Sequence, residues 1–167
     1  MIVVLEGPDC AGKTTLAQRL AESRRASVIV TNGPPPDGVA LLDHYSSQIT
    51  RAIASPNRLT VFDRLHAGEL IYGPLFRGQS GLSADDVKLL EQQLDTAGAI
   101  KLHIDCSDDT LRARFESRGD KFVNNADQLL HIAQLYRTMC NPTGILRGWR
   151  HVATDGQSVD VEELISS

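Results

Sequence analysis

One segment of the chain has residue types and a spacing that indicate a specific chemistry. Residues 7–15 read GPDCAGKTT and satisfy the phosphate-binding pattern G-x-x-x-x-G-K-[ST]. Backbone N–H groups of such a loop point toward phosphate oxygens, Lys13 would reach the β and γ phosphates, and Thr14 would offer its hydroxyl group to Mg²⁺. The segment predicts a nucleoside triphosphate site formed by Gly7, Ala11, Gly12, Lys13, Thr14 and Thr15.

Short apolar runs and amphipathic segments alternate along the chain. The apolar runs predict strands at 1–5, 27–30, 59–62, 100–104 and 151–153, and helical periodicity predicts helices at 13–23, 39–54, 85–96 and 108–116. This order predicts an α/β fold, a doubly wound five-stranded parallel sheet with helices on both faces and 1–5 as its central strand. Two glycine- and proline-rich segments, 33–38 and 72–81, predict irregular structure.

Length and composition limit the classes of protein that the sequence can encode. The 167 residues predict a single domain, and 41% hydrophobic with 23% charged residues is ordinary for a globular protein. The net charge of −4 gives no general attraction to nucleic acid, which is therefore not expected as a partner. The three cysteines form no metal-binding or disulfide pattern. Because no run approaches about 18 apolar residues, we expect no membrane span and a cytoplasmic location.

The phosphate-binding pattern alone leaves GTPases, ATPases and kinases open. A GTPase switch would need Asp-x-x-Gly, but Asp63 is followed three positions later by His66. The segment most similar to a guanine-binding pattern, 124–127, reads NNAD and lacks the lysine of that pattern. The sequence therefore disfavours a GTPase.

Asp63 and Arg64 follow the third predicted strand, at the edge where open α/β sheets bind ligands. Asp63 can hold Mg²⁺ or its waters, although capping of a helix is an alternative role. Arg64 can form a bidentate pair with an acceptor phosphate. Asp9, inside the loop, would repel a triphosphate, so it either faces the acceptor or caps the amides of its own loop.

Several of these residues together resemble the thymidylate kinase family. The resemblance rests on residues 1–20 (MIVVLEGPDCAGKTTLAQRL), Phe62-Asp63-Arg64, Tyr72 nine positions after Asp63, and Arg114 with Arg118-Gly119. In that family the residue matching Asp9 contacts the deoxyribose hydroxyl group and orients the acceptor phosphate. The resemblance thus implies that Asp9 and Arg64 act in catalysis and acceptor binding, beside Lys13.

A basic stretch follows the fourth predicted strand and contains Arg112, Arg114 and Arg118. Mobile arginines that close over a transferring phosphate stabilise its charge and exclude water, so we predict a lid at about 114–124. Members of the family take a catalytic arginine from the loop or from the lid. Cys10 occupies the loop position here, so the resemblance implies that Arg114 and Arg118 are catalytic. Arg112 would contact the donor nucleotide or lie on a solvated helix face.

The resemblance is weaker where it concerns the bases. Tyr72 matches a tyrosine of the thymine pocket, but Gly73 replaces the glutamine that usually follows it, and residues 32–36 (NGPPP) replace the usual Glu-Pro-Gly-Gly-Thr. Tyr45 and Arg51 could stack on and hydrogen-bond a pyrimidine, or could lie on the surface. Segment 154–157, which ends at Gln157, resembles the adenine-side loop of the family and would contact the donor.

The residues and the resemblance predict a kinase that uses ATP and Mg²⁺ to phosphorylate a deoxynucleoside monophosphate, dTMP first among the candidates. Two alternatives stay open. One is a kinase for a hydroxyl group of a nucleoside or of a modified pyrimidine in DNA, and the other is a nucleotide-binding regulator without turnover. The resemblance also implies a homodimer.

Overall fold

A computed structural model describes residues 1–24, 26–30, 38–55, 58–156 and 159–166. Its centre is a sheet of five parallel strands in the order β2-β3-β1-β4-β5. The strands are β1 Ile2–Glu6, β2 Ser27–Val30, β3 Thr60–Asp63, β4 Ile100–Asp105 and β5 Arg150–Ala153. The predicted parallel sheet with β1 at its centre is confirmed, and each of the five strands begins and ends within one residue of its prediction.

Helices cover both faces of the sheet, so the doubly wound α/β fold is confirmed. They are α1 Lys13–Arg24, α2 Leu41–Ile53, α3 Glu69–Arg77, α4 Ala84–Thr96, α5 Asp108–Arg118, α6 Ala126–Met139 and α7 Val161–Ile165. On one face α2 packs against α4, and on the other α5 packs against α6. Ser83 and Ser107 cap α4 and α5, because each side chain accepts a hydrogen bond from a backbone N–H of the first helical turn.

Both faces of β1 are buried, which explains why its residues form an uninterrupted apolar run. Val3 and Leu5 pack into a core that contains α1, α5 and α6, while Ile2 and Val4 pack into a second core with α2 and α4. Leu5 lies beside Asp63 in the parallel register. The carboxyl ends of β1 and β3 therefore bring the phosphate-binding loop and Asp63 to the same edge of the sheet.

The prediction of irregular structure over 72–81 is wrong for its first part, because α3 continues to Arg77. The helix contains Gly73 and Pro74, two residue types that usually interrupt helices. A Cβ atom at Gly73 would lie 2.6 Å from Oε1 of Glu69, so this glycine permits close packing and does not mark a break. Of the predicted loop at 33–38, residues 33–37 lie outside the described part of the chain. No helix among the described residues is long and apolar enough to cross a membrane.

Candidate active site

The phosphate-binding loop connects β1 to α1 at the carboxyl edge of the sheet. Gly7 has a φ of 148°, and a Cβ atom there would lie 2.0 Å from the carbonyl oxygen of Ile104 on β4, so only glycine fits. Cys10 has a φ of 63°, which non-glycine residues rarely adopt. Because α1 begins at Lys13, the N–H groups of its first turn lack partners within the helix and are available to phosphate oxygens.

A cavity of about 100 Å³ lies against this loop. It is lined by Asp9, Cys10, Gly12, Lys13, Thr14, Thr15, Asp63, Arg64 and Arg118. The loop, the end of β3 and the end of α5 therefore meet at one place, although they are distant in the sequence. Three cationic side chains and two carboxylates surround the cavity, as expected of a site that binds phosphate groups with a metal ion.

Lys13 is buried at the base of the loop, where its Nζ donates a hydrogen bond of 2.6 Å to the carbonyl oxygen of Pro8. Burial, and after it repulsion by Arg64, lowers the pKa of Lys13 to about 8. A bound polyanion favours the charged form of a nearby amine. Protonation of Lys13 and affinity for phosphate are therefore coupled.

Thr14 and Asp63 bring two oxygen atoms to one point, where Thr14 Oγ1 donates a hydrogen bond of 2.6 Å to Asp63 Oδ2. Hydroxyl and carboxylate oxygens suit Mg²⁺, which usually keeps water and substrate phosphates as its other ligands. Within the described ranges, no group of three or more His, Cys, Asp or Glu side chains is arranged to hold a metal ion. The pair therefore fits Mg²⁺ that is bound jointly with phosphate and water.

Arg64 pairs with Asp9 and Tyr72 at the cavity. Its Nη2 donates hydrogen bonds to Asp9 Oδ1 at 2.5 Å and to the Tyr72 hydroxyl oxygen at 3.1 Å, and Tyr72 donates to Asp9 Oδ2 at 2.7 Å. Arg64 has a φ of 73°, a strained conformation that occurs often at functional sites. Burial would raise the pKa of Asp9, but the cations Arg64 and Lys13 hold it below its usual value. Asp9 is therefore an ionised, paired carboxylate.

Two buried residues behind the cavity had no predicted role. Glu6 and Tyr136 are both 0% exposed, and Tyr136 donates a hydrogen bond of 3.0 Å to Glu6 Oε2 while accepting one of 3.0 Å from Arg64 Nη1. Glu6 Oε1 accepts the backbone N–H groups of Leu65 and Gly68. A carboxylate directly after a buried apolar run is the sequence signal for Glu6. Tyr136 carries no such signal, because its contact with Glu6 joins residues 130 positions apart.

The three arginines of the basic stretch after β4 occupy different environments. Arg118, the last residue of α5, lines the cavity. Arg114 donates hydrogen bonds to the carbonyl oxygens of Cys10 and Thr154 at 3.1 and 2.9 Å, and to Thr154 Oγ1 at 3.2 Å. Arg112 instead forms an exposed ion pair with Asp127, because residues two positions apart on a helix point in different directions. Arg114 thus holds the loop, and neither Arg114 nor Arg112 is among the residues that line the cavity.

The residues predicted to bind the bases are not brought together. Tyr45 is 3% exposed and packs in the core, because it shares the buried face of α2 with Ile49. Arg51 is exposed on the same helix and is not among the residues that line the cavity. Tyr72 does contact the cavity residues Asp9 and Arg64. Gln157 lies outside the described part of the chain.

Comparison with known proteins identifies the family of the chain. The model of polyphosphate kinase 2 (PPK2) matches residues 1–125, which is most of the 167-residue chain. The chain belongs to the PPK2 family. This assignment and the phosphate-binding cavity agree that the protein is a kinase-like member of the P-loop proteins.

Individual relatives extend the comparison. The SPbeta prophage-derived protein YorR of Bacillus subtilis is 25% identical over 148 residues, which cover 86% of this chain and 84% of YorR. The crystal structure of YorR in complex with phosphorylated GDP is 20% identical, with a TM-score of 0.70 over 98% of this chain and 91% of that chain. Deoxyadenosine kinase from M. mycoides is 12% identical, with a TM-score of 0.55 over 98% and 94%. A gluconokinase from Sinorhizobium meliloti is 16% identical, with a TM-score of 0.54 over 98% and 86%. These structures share the fold, which is a broader finding than the resemblance to thymidylate kinases.

Proposed function

We propose that this chain transfers the γ-phosphate of ATP to the 5′-phosphate of a deoxynucleoside monophosphate, with Mg²⁺ as cofactor. The observation that carries the proposal is the cavity at the phosphate-binding loop, which Lys13, Arg64 and Arg118 line together with Thr14 and Asp63. Phosphoryl transfer between two polyanions depends mainly on positioning and on neutralisation of charge. These side chains can supply both.

The proposed roles follow from where each side chain originates. Lys13 and the first turn of α1 hold the β and γ phosphates of the donor. Arg64 binds the acceptor phosphate, and Arg118, at the end of α5, stabilises the charge on the transferring group. Mg²⁺, when bound by Thr14 and Asp63, neutralises part of the donor charge.

The pairing of Asp9 disfavours its use as the general base for a hydroxyl acceptor. A hydroxyl group must lose a proton during the reaction, so its kinase needs a carboxylate that is free to act as a general base. Asp9 is paired with Arg64 and Tyr72, and its pKa is held below the usual value, which makes it a weak base. A nucleoside monophosphate is already ionised and needs a cation, which Arg64 supplies.

The base of the acceptor is proposed from two independent similarities. dTMP is the first candidate, because Tyr72, which the resemblance to thymidylate kinases assigns to the thymine pocket, bonds to the cavity residue Asp9. A guanine nucleotide is the second, because YorR binds phosphorylated GDP. A glutamine at Gly73, as in thymidylate kinases, would place its Cβ atom 2.6 Å from Glu69 Oε1 and 3.0 Å from the carbonyl oxygen of Gln79, so these neighbours would have to shift. Recognition of thymine would therefore differ in detail from that family.

The test is an assay in which the protein is incubated with ATP, Mg²⁺ and one nucleoside monophosphate, and ion-exchange chromatography measures the nucleoside diphosphate formed. The monophosphates are dTMP, dUMP, dCMP, dAMP, dGMP and GMP. Thymidine and single-stranded DNA serve as hydroxyl acceptors. We expect turnover with at least one monophosphate, abolished by Lys13→Met and unchanged by Lys88→Met on the exposed face of α4. The proposal would be refuted if only the hydroxyl acceptors were phosphorylated, or if none of the acceptors were.

A second candidate donor follows from the family assignment. Inorganic polyphosphate offers the loop the same phosphate oxygens as ATP but lacks adenosine, and the family model is that of a polyphosphate kinase. The same chromatographic assay distinguishes the two donors when polyphosphate replaces ATP. If the nucleoside diphosphate formed with polyphosphate but not with ATP, polyphosphate would be the donor.

A further inference from the structure

Tyr136 links the buried side of the site to Arg64. It lies in α6 and its side chain is fully buried. The hydroxyl group donates a hydrogen bond to Glu6 Oε2 and accepts one from Arg64 Nη1, each at 3.0 Å. Neither Tyr136 nor Glu6 is among the residues that line the cavity, so neither touches a ligand bound there.

Four hydrogen bonds hold the guanidinium group of Arg64. Nη1 donates to the carbonyl oxygen of Gly7 at 2.9 Å and to Tyr136, and Nη2 donates to Asp9 and Tyr72. Asp9 lines the cavity, so an acceptor phosphate can compete with it for Nη2. Tyr136 is buried and does not line the cavity, so an acceptor bound there does not compete for its bond to Nη1.

Without the hydroxyl group, Glu6 would draw Arg64 away from the cavity. The buried Glu6 Oε2 lies 3.9 Å from Arg64 Nη1, and the Tyr136 hydroxyl group bonds to both. A buried carboxylate oxygen that loses its donor is costly, and the nearest cation compensates for the loss. Burial, and after it the Glu6 charge, raises the pKa of Tyr136 well above its ordinary value, so the hydroxyl group remains a donor at neutral pH.

We propose that Tyr136 is a positioning residue, which keeps the guanidinium group of Arg64 directed toward the acceptor phosphate by separating it from the carboxylate of Glu6. The proposal rests on the proposed function, because it takes an acceptor phosphate as the ligand of Arg64. The hydrogen bonds that carry it are present in the protein without any substrate, so they can be tested apart from turnover.

The first test is Tyr136→Phe, which keeps the ring and removes the hydroxyl group. We expect kcat/KM for the monophosphate acceptor to fall roughly 10- to 100-fold, the range for a hydrogen bond to a charged group, while KM for ATP changes less than about twofold. The matched control is Ser46→Ala, which removes a hydroxyl group that accepts a 2.9 Å hydrogen bond from Gln93, between α2 and α4. The control should leave both constants unchanged.

A double-mutant cycle with Arg64→Lys separates positioning from general destabilisation. Lysine cannot reproduce the fork of donors, so Tyr136→Phe should change kcat/KM by less than about twofold in the Arg64→Lys background. An equal loss in both backgrounds would show that Tyr136 acts elsewhere and would overturn the proposal. Should Tyr136→Phe fail to fold, Tyr136→Phe/Glu6→Gln removes the unpaired charge as well. With no carboxylate to draw Arg64 away, kcat/KM for the acceptor should stay within about twofold of the wild type, and a loss of about tenfold or more would overturn the proposal.

A measurement without substrate distinguishes failure of this proposal from failure of the proposed function. Nitrogen-15 NMR of arginine side chains should give separate Nη proton signals for Arg64, assigned by their loss in Arg64→Lys, because its hydrogen bonds restrict rotation. Tyr136→Phe should broaden or merge these signals, and Ser46→Ala should not. Unchanged signals would overturn the proposal whether or not the protein turns over. Absent turnover in the wild type would refute only the proposed function.

Discussion

Replacing Arg114 and Arg118 separately by alanine should have different consequences, although the two arginines lie about one turn apart on α5. Arg118 lines the cavity and is expected to stabilise the transferring phosphate. Arg114 instead bonds to Cys10 in the phosphate-binding loop and to Thr154 after β5. Arg118→Ala should therefore lower kcat, whereas Arg114→Ala should loosen the loop and destabilise the fold.

The magnitudes follow from the contacts. Arg114 makes three hydrogen bonds to oxygen atoms, and each bond to a charged group contributes about 1.5–3 kcal/mol, with incomplete additivity. Arg114→Ala should thus cost about 3 kcal/mol of unfolding free energy, or roughly 6–12 °C in Tm for a chain of this size, and should raise KM for ATP. An arginine that stabilises the transition state of phosphoryl transfer contributes about 10³-fold or more to kcat, so Arg118→Ala should lower kcat by that factor.

Calorimetry and steady-state kinetics on the two variants test this contrast. Glu116→Ala is the control, because Glu116 is an exposed residue of the same helix. We expect Tm and KM for ATP to stay near wild-type values in Arg118→Ala, and both to change in Arg114→Ala. If Arg114→Ala kept its Tm and lost only kcat, Arg114 would act on phosphate directly, which contradicts its assignment to the loop. Unchanged kcat in Arg118→Ala would remove Arg118 from the mechanism.

Three further predictions concern the metal ion and pH. Thr14→Ala should raise the Mg²⁺ concentration that gives half the maximal rate about tenfold or more, because it removes the hydroxyl group bonded to Asp63. A Mg²⁺ titration that matches the wild type would contradict the proposed metal site. The pKa of Lys13 is lowered to about 8, so kcat/KM for ATP should fall as pH rises through about 8 and the ammonium group loses its proton. A pH–rate profile that stays flat to about pH 10 would show that Lys13 remains charged. Burial lowers the pKa of His103 to about 4, below its value in the unfolded chain. His103 therefore destabilises the fold as pH falls from about 6.5 toward 4, and the loss of unfolding free energy reaches about 2 kcal/mol at about pH 5. His103→Phe should reduce the difference in unfolding free energy between about pH 7 and pH 5 by that amount in urea titrations, and an undiminished difference would assign the acid sensitivity to other groups.

The strands and the phosphate-binding loop could be predicted because their signals are local. A strand buried on both faces must be apolar throughout, as β1 is, and a loop that wraps phosphate needs glycine where the backbone approaches another strand, as Gly7 approaches Ile104. The helix over 72–77 escaped prediction because Gly73 has a packing role that depends on Glu69 and on the segment after the helix. A pattern of neighbouring residues in the sequence does not show such packing contacts.

The positions of the site residues depend on contacts between parts of the chain that are distant in the sequence. Arg114 and Arg118 carry the same charge on the same helix, but Arg114 bonds to Cys10 and Thr154, whereas Arg118 lines the cavity. Tyr45 matched a base-binding role in the sequence, yet the face of α2 that packs on the sheet buries it. Tyr136 contacts Arg64 across 72 positions of the chain.

The α/β fold, the five strands, the helices α1, α2, α4 and α5 and the position of the phosphate-binding loop could be read from the amino-acid sequence, because backbone conformation and hydrophobic periodicity are set within a few residues. Which arginine faces the cavity, which tyrosine is buried and which carboxylate pairs with Arg64 became visible in the folded chain. Those choices depend on distances between side chains from separate elements, and such distances exist only after the sheet and its helices have packed.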